Sequence, residues 1–257
     1  MKKQVVFALL LSSISIATAQ NLEKQGLEIA KAANKADEGF GSLQVNLKMI
    51  LKNKNGQVSE REITNKILEQ IEDGDKSLVA FNTPKDVKGT STLTFTHKIG
   101  SDDQWLYLPS IKRVKRISSS NKSGPFMGSE FAFEDLSSDE VEKYTYKFIE
   151  EKNGLLIVEQ DPVDPKSGYR RRLVSYNKEK GYRVEKIEFY DRKNELLKTL
   201  IHKNYKQYKN KHWRSSTMVM TNHQSGKETT LLFSEYNFGA ELADEDFTEN
   251  ALKRIGN

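Results

Sequence analysis

Residues 42–56 read SLQVNLKMILKNKNG, and their period decides the fold class. Leu43, Val45, Leu47, Met49 and Leu51 fall on one face of an extended chain, while Gln44, Asn46, Lys48 and Lys52 take the other. Side chains alternate across a strand, so this pattern predicts a strand buried on one face. The NKNG that follows is a hairpin turn signal. Segments of the same kind recur to the end of the chain, among them KSLVAFN, TSTLTFT, QWLYLP, KYTYKFIE, GLLIVEQ, YRRRLVSY, YRVEKIEFY, LLKTLIHKNY, RSSTMVMTN and KETTLLFSEYNF. Turn-like EDGD, DPVDPKSG, NKEKG, DRKN, KNKH and HQSG separate them. About a dozen strands at this spacing predict an antiparallel meander, and a sheet that wide must curl, split or close.

The N-terminus adds an address and a helix. MKK, the apolar VVFALLLSSISIA and then Ala17-Thr18-Ala19 fit an export leader over 1–19, cut near Ala19-Gln20; an uncleaved anchor is the rival reading. Residues 20–257 are then expected to form one exported domain. In residues 21–37 Leu22, Leu27, Ile29, Ala30 and Ala33 make an apolar stripe, which predicts an amphipathic helix with Asn21 as N-cap and Gly39 beyond its end. The chain has no Cys, so its core alone must hold the exported fold. The formal charge of +5 includes Lys2 and Lys3, and such a balance argues against nucleic acid as a partner. With 30% charged residues and a mean hydropathy of −0.69, the surface must be strongly polar.

Motifs for catalysis are lacking. His97, His202, His212 and His223 show no zinc-binding spacing, and no nucleophile elbow, phosphate loop or dinucleotide fingerprint occurs. Asp102-Asp103 and Asp244-Glu245-Asp246 lack the alternating ligands of a calcium loop and read as solvated turns. In YRRRLV, strand alternation sets Arg171 with Tyr169 and Leu173, and Arg170 and Arg172 opposite. Either this is a polar outer face, or one Arg turns into a cavity; the sequence leaves both open.

Residues 105–136, WLYLPSIKRVKRISSSNKSGPFMGSEFAFEDL, are the most distinctive stretch. Trp105 and Tyr107 share a strand face, and Ile111, Val114 and Ile117 alternate with four cations, Lys112, Arg113, Lys115 and Arg116. These suit docking to an anionic surface, or a basic strand edge. Phe126, Met127, Phe131 and Phe133 form an apolar loop with a Gly hinge, which reads as a mobile greasy contact or as a loop packed on the core.

The order W-L-Y-L-P-x-x-K-R-V-K-R-I followed by G-P-F-M-G-S-E-F-x-F-E-D-L resembles the LolA-like outer-membrane lipoprotein-sorting proteins, in the long branch often associated with RND/MMPL-type exporters. DEGFGSLQVNLKMILKNKNG, TPKDVKGTSTLTF, QDPVDPKSGYRRRLV, HWRSSTMVM and DEDFTENALKR extend the resemblance over nearly all of residues 20–257. It implies an α+β fold, mainly β: an incomplete antiparallel barrel around an N-terminal helix and lid loops, with a hydrophobic cavity. It implies a periplasmic, monomeric carrier of lipoprotein acyl chains or other lipids, with no catalysis and no cofactor. An inner-membrane RND/MMPL-type transporter and an outer-membrane acceptor are the implied partners, with transient membrane contact. In the short carriers of the family an Arg in the cavity hydrogen-bonds the lid; no residue here is matched to it. The expected lipid-binding face carries Val45, Leu47, Met49, Trp105, Tyr107, Met218 and Met220, with Phe126, Met127, Phe131 and Phe133 as lid or rim. A lipoprotein-sensing regulator of the same fold and an exported hydrolase are the competing readings.

Overall fold

The computed structural model describes residues 3–255, with side chains over residues 19–254. Most of the leader expected at 1–19 therefore lies outside the described side chains. Among the described residues no helix is long and apolar enough to cross a membrane.

Helix α1 spans Lys3–Asp37. It does not start at an Asn21 cap: residues 17–20 hold neither Gly nor Pro, so the hydrogen-bond ladder runs on through Asn21. The expected stripe is present, with Ile29 and Ala30 buried and Leu27 and Ala33 packed beside them. Gly39, at φ 86°, lies just beyond the helix end.

Strand β1 (Ser42–Lys52) follows the predicted alternation. A turn ending at Gly56 (φ 81°) leads to β2 (Val58–Leu68), then β3 (Lys76–Thr83), β4 (Ser91–Phe95), β5 (Asp103–Leu108) and β6 (Arg113–Ile117). After a long connection come β7 (Tyr144–Lys152), β8 (Leu155–Pro162), β9 (Tyr169–Asn177), β10 (Arg183–Asp191), β11 (Leu196–Tyr208), β12 (His212–Asn222) and β13 (Glu228–Phe233). KETTLLFSEYNF divides, its end forming the short β14 (Asn237–Phe238) on β1. Helix α2 (Glu249–Ile255), which the strand pattern did not predict, closes the described chain.

All pairings are antiparallel, in the order β6-β5-β4-β3-β2-β1-β13-β12-β11-β10-β9-β8-β7. Two meanders thus join through β1 and β13, and the curled sheet stays open between β6 and β7. Helix α1 lies on the concave face against β7 and β8. Gly26 makes this possible, because a Cβ there would stand 2.7 Å from the Phe148 amide nitrogen.

The faces follow from the register. Met49, Leu47 and Ile63 on one meander and Leu231, Met220, Leu200, Ile187, Val174 and Val158 on the other point inward, where α1 covers them. Leu78, Leu93, Trp105 and Tyr107 point outward and are covered by Phe247, Ala251 and Leu252 at the C-terminus. Trp105 and Tyr107 are therefore on the opposite side of the sheet from Val45, Leu47 and Met49. They are not part of the cavity wall expected from the sequence. Burying a large apolar side chain contributes about 1.5–3 kcal/mol, so each face needs its own cover, and α2 supplies the outer one.

Candidate functional site

The connection between β6 and β7, residues 118–143, does not hang over the opening as a lid. It enters the curled sheet as a plug. Phe126 is 1% and Phe131 7% exposed, both within the main inner core, with Met127 and Phe133 packed against it. The Phe126 ring lies 5.7 Å from Phe81 and 5.5 Å from Phe133. A tight hairpin forms the tip, with the Phe126 amide donating to the Phe131 carbonyl at 2.7 Å. Met127 sits at φ 49°, a conformation that costs an L-residue about 1–2 kcal/mol. The loop expected to be a mobile rim is thus packed into the core, with Phe131 also bordering a cavity.

Polar side chains from several strands clamp this plug. Arg61 on β2 donates to the Met127 carbonyl, with its guanidinium 5.7 Å above Phe81. Lys198 on β11 donates to the Glu130 carbonyl at 2.8 Å and to Asp135 at 2.7 Å. Tyr169 donates to the other Asp135 oxygen at 2.8 Å. Thr229 Oγ1 accepts from the Glu130 amide, and Gln104 donates to the Phe133 carbonyl. Glu134 accepts from Ser167 and from the Gly168 amide; a Cβ at Gly168 would stand 2.9 Å from that carboxylate. Burial raises the Glu134 pKa above the usual carboxylate range. The sequence did not single out Arg61 or Lys198. Both stand in apolar register, Arg61 two residues before Ile63 and Lys198 two before Leu200.

Beside the plug two cavities open between sheet, loops and helix. The smaller, about 330 Å³, has apolar depths formed by Phe131, Ile187, Phe189, Leu200, Met218 and Met220. The larger, about 880 Å³, runs along the C-terminal part of α1 past Ala30, Ala33, Phe40 and Tyr146. Both are bounded by Arg172, Asp139, Val184, His202 and Met218, so they meet there. Of the expected lipid-facing residues, Phe131, Met218 and Met220 line a cavity, whereas Leu47, Met49, Phe126, Met127 and Phe133 belong to the core cluster beside it. Val45 packs with Phe40, Leu43 and Tyr236. Two residues on loops at the mouths, Ile71 and Ile99, are 87% and 84% exposed.

Arg172 is the Arg of YRRRLV that turns inward. A register shift between Tyr190 and Asp191 interrupts the pairing of β10 with β9, so Tyr169 and Arg172 both face the interior despite their odd spacing. Arg171 stays outside, stacked on Tyr190 and paired with Glu159. Arg172 is 7% exposed, donates from Nε to Gln160 at 2.6 Å and from Nη2 to Asp139 at 2.8 Å, and lies 4.0 Å above the Tyr144 ring. Burial alone would lower its pKa; its neighbours, Asp139 foremost, together outweigh this and raise it.

The rim carries further charge. Asp75, on the larger cavity, is pushed up to about 7 by burial, with Glu140 and Glu69 adding repulsion. Burial also raises Glu140. Asp102-Asp103 is not a solvated turn. Asp102 accepts from Lys143 and Ser137; Asp103 pairs with Arg116 and His97. The His97 pKa is raised, chiefly by Asp73 at 2.6 Å. The Asp244-Glu245-Asp246 turn is solvated as expected, with Asp244 67% exposed while paired with Lys76. Lys112, Arg113, Lys115 and Arg116 are all exposed on or beside the edge strand β6, with Arg116 drawn over Trp105 and onto Asp103.

Comparison with known proteins places this architecture. A structure from Vibrio parahaemolyticus, provisionally named an outer membrane lipoprotein-sorting protein domain, is 53% identical over 90% of this chain and 100% of its own, with a TM-score of 0.87. The chain belongs to the LolA-like outer-membrane lipoprotein-sorting family. A family model described as an uncharacterized protein matches residues 73–254. A DUF1329 family protein from Desulfovibrio piger is 26% identical, covering 90% of this chain and 99% of its own, with a TM-score of 0.83. A LolA superfamily protein from Nitrosomonas europaea is 20% identical over 87% of this chain and 97% of its own; its TM-score of 0.70 attests the fold. No curated protein matches the chain. The LolA-like fold is thus present as an unclosed, curled antiparallel sheet around an N-terminal helix.

Proposed function

We propose that this protein is an exported, periplasmic carrier that holds the acyl chains of a lipoprotein or another lipid and passes them between membranes without catalysis. The observation that carries the reading is the pair of adjoining cavities on the inner sheet face, with Phe131, Leu200, Met218 and Met220 in their apolar depths. Flexible Met side chains suit a pocket for chains of varying shape. The name of the Vibrio relative, which concerns outer-membrane lipoprotein sorting, points the same way.

The physical chemistry asks for a partner. A buried methylene contributes about 0.8 kcal/mol, and a lipid tail already enjoys that in the bilayer. Extraction is then close to neutral, so an inner-membrane transporter of the RND/MMPL type is the proposed donor and an outer-membrane component the acceptor. The exposed Ile71 and Ile99 at the cavity mouths and the cations Arg113 and Lys115 on β6 are the proposed contacts with membrane or partner. The carrier is proposed to act as a monomer, with its leader removed near Gln20.

Native mass spectrometry after mild extraction from the cell envelope tests the reading. An added acyl-containing mass is expected. A clean apo mass together with no lipid uptake in vitro overturns it. N-terminal sequencing of the envelope form is expected to begin at Gln20.

A further inference from the structure

Two features meet where the cavities join, and neither is needed to hold an alkyl chain. The first is Arg172. A buried cation is costly unless paired, yet its only carboxylate partner among the described residues, Asp139, is 57% exposed near the β7 end of the plug segment. The inner side of the guanidinium is held independently, by Gln160, whose amide also donates to the Tyr176 hydroxyl at 2.7 Å. Asp139 can therefore leave without freeing the Arg172 side chain from the sheet.

The second is His202, which also borders both cavities. Its Nδ1 lies 3.3 Å from the Ser215 hydroxyl, and its Nε2 is buried with no hydrogen-bond partner among the described residues. The ring has two neutral tautomers, and an anion beside Nε2 selects the one in which Ser215 donates to Nδ1 and Nε2 carries the proton. Burial lowers the His202 pKa to about 4, so the ring is neutral at physiological pH. A buried donor without an acceptor is destabilising, and an incoming acceptor would satisfy it.

We propose that Arg172 and His202 form a headgroup site for a single-chain amphiphile with an anionic head, a carboxylate or phosphate, which takes the place of Asp139 on Arg172 while its tail lies toward Leu200, Met218 and Met220. The inference rests on the carrier reading and narrows its cargo. A guanidinium matches such oxyanions with paired N–H donors, and the neutral imidazole adds one more. Asp139 then acts as a resident stand-in for the head.

Calorimetric titration of the purified protein, stripped of bound lipid, tests this. The probes are dodecanoate, dodecyl phosphate, dodecanol and inorganic phosphate. Both anionic amphiphiles are expected to bind at least tenfold more tightly than dodecanol, and inorganic phosphate not measurably. Asp139→Asn should widen the preference for the anionic amphiphiles over dodecanol severalfold; Arg172→Gln should erase the preference. Equal affinity for dodecanoate and dodecanol overturns the headgroup site and leaves the carrier standing. Inorganic phosphate binding as tightly as dodecyl phosphate overturns it in favour of a free-anion site. Binding of none of the tailed probes overturns the carrier reading itself. Because the wild-type comparison is decisive alone, a failure of Arg172→Gln to fold does not obscure the result.

Discussion

Lys198 Nζ lies 2.7 Å from Asp135 Oδ2, with the two side chains 4% and 8% exposed. This ion pair ties β11 to the plug from within, where water does not compete. Breaking such a pair from one side leaves a buried charge uncompensated, which costs about 3–5 kcal/mol. Lys198→Met is expected to lower unfolding free energy by about that amount in urea titrations. The double variant Lys198→Met/Asp135→Leu should regain part of it. If Lys198→Met is neutral, the plug is not held by this pair.

Phe126 is expected to behave as core. Phe126→Ala should cost about 3–5 kcal/mol, the range for truncating a buried aromatic ring. Thermal melting checks this directly. An unchanged Tm with impaired lipid uptake would return Phe126 to the role of a rim residue.

Arg61, which donates to the Met127 carbonyl, is expected to hold the plug tip closed. A hydrogen bond from a charged donor is worth about 1.5–3 kcal/mol. Arg61→Gln should therefore raise amide hydrogen exchange in residues 126–131 by roughly ten- to a hundredfold. Exchange in β8 and β9 should stay as in the wild type, which separates local opening from global loss of stability.

Asp75 makes stability depend on pH in an unusual direction. Its folded pKa, about 7, lies above the ordinary value because burial disfavours the carboxylate. The folded state thus holds the proton more tightly than the unfolded one, and this group's contribution is lost as pH rises from about 4 to 7. Each tenfold change in proton affinity corresponds to about 1.4 kcal/mol. Asp75→Asn should therefore stabilise the protein by a few kcal/mol at pH 8 and change little at pH 4. Urea titrations at the two values provide the check, and equal effects at both would mean that Asp75 titrates alike in the folded and unfolded chain.

Arg113 and Lys115 are the cleaner probes of the basic strand, since Arg116 is already paired with Asp103. Arg113→Glu/Lys115→Glu should keep the melting temperature, as exposed substitutions move stability by about 0.5 kcal/mol or less. Sedimentation with anionic vesicles at low salt should fall severalfold. Unchanged sedimentation would assign the cations to guarding the sheet edge.

Alternation within a strand is a local property, and it was legible residue by residue. The boundaries of β1 match the reading of SLQVNLKMILK, and most of the other strands lie within a few residues of their segments. Strand β2, VSEREITNKIL, was harder to see because its inward positions include Arg61 and Asn65 and its outer ones include Val58 and Leu68. Cations in apolar register were the readable trace of the plug's clamps, as Lys198 beside Leu200 shows. Their partners were not readable, because Met127 and Asp135 are more than sixty residues away in sequence.

The sequence by itself determined the strand content, the amphipathic stripe of α1 and the presence of a distinctive aromatic and basic segment at 105–136. Only the tertiary structure decided how these faces meet. Trp105 and Tyr107 have the alternation of a cavity wall, yet pairing to Leu93 and Ser91 turns them outward beneath α2. Arg172 rather than Arg171 faces inward because it alternates with the inner residues Val174 and Tyr176, and one irregularity in β9–β10 pairing brings Tyr169 to the same side. The Phe126 loop became a plug because the sheet stays open between β6 and β7 and its interior needs filling. Period fixes which residues share a face within one strand; pairing register and long-range closure fix which side of the molecule that face becomes.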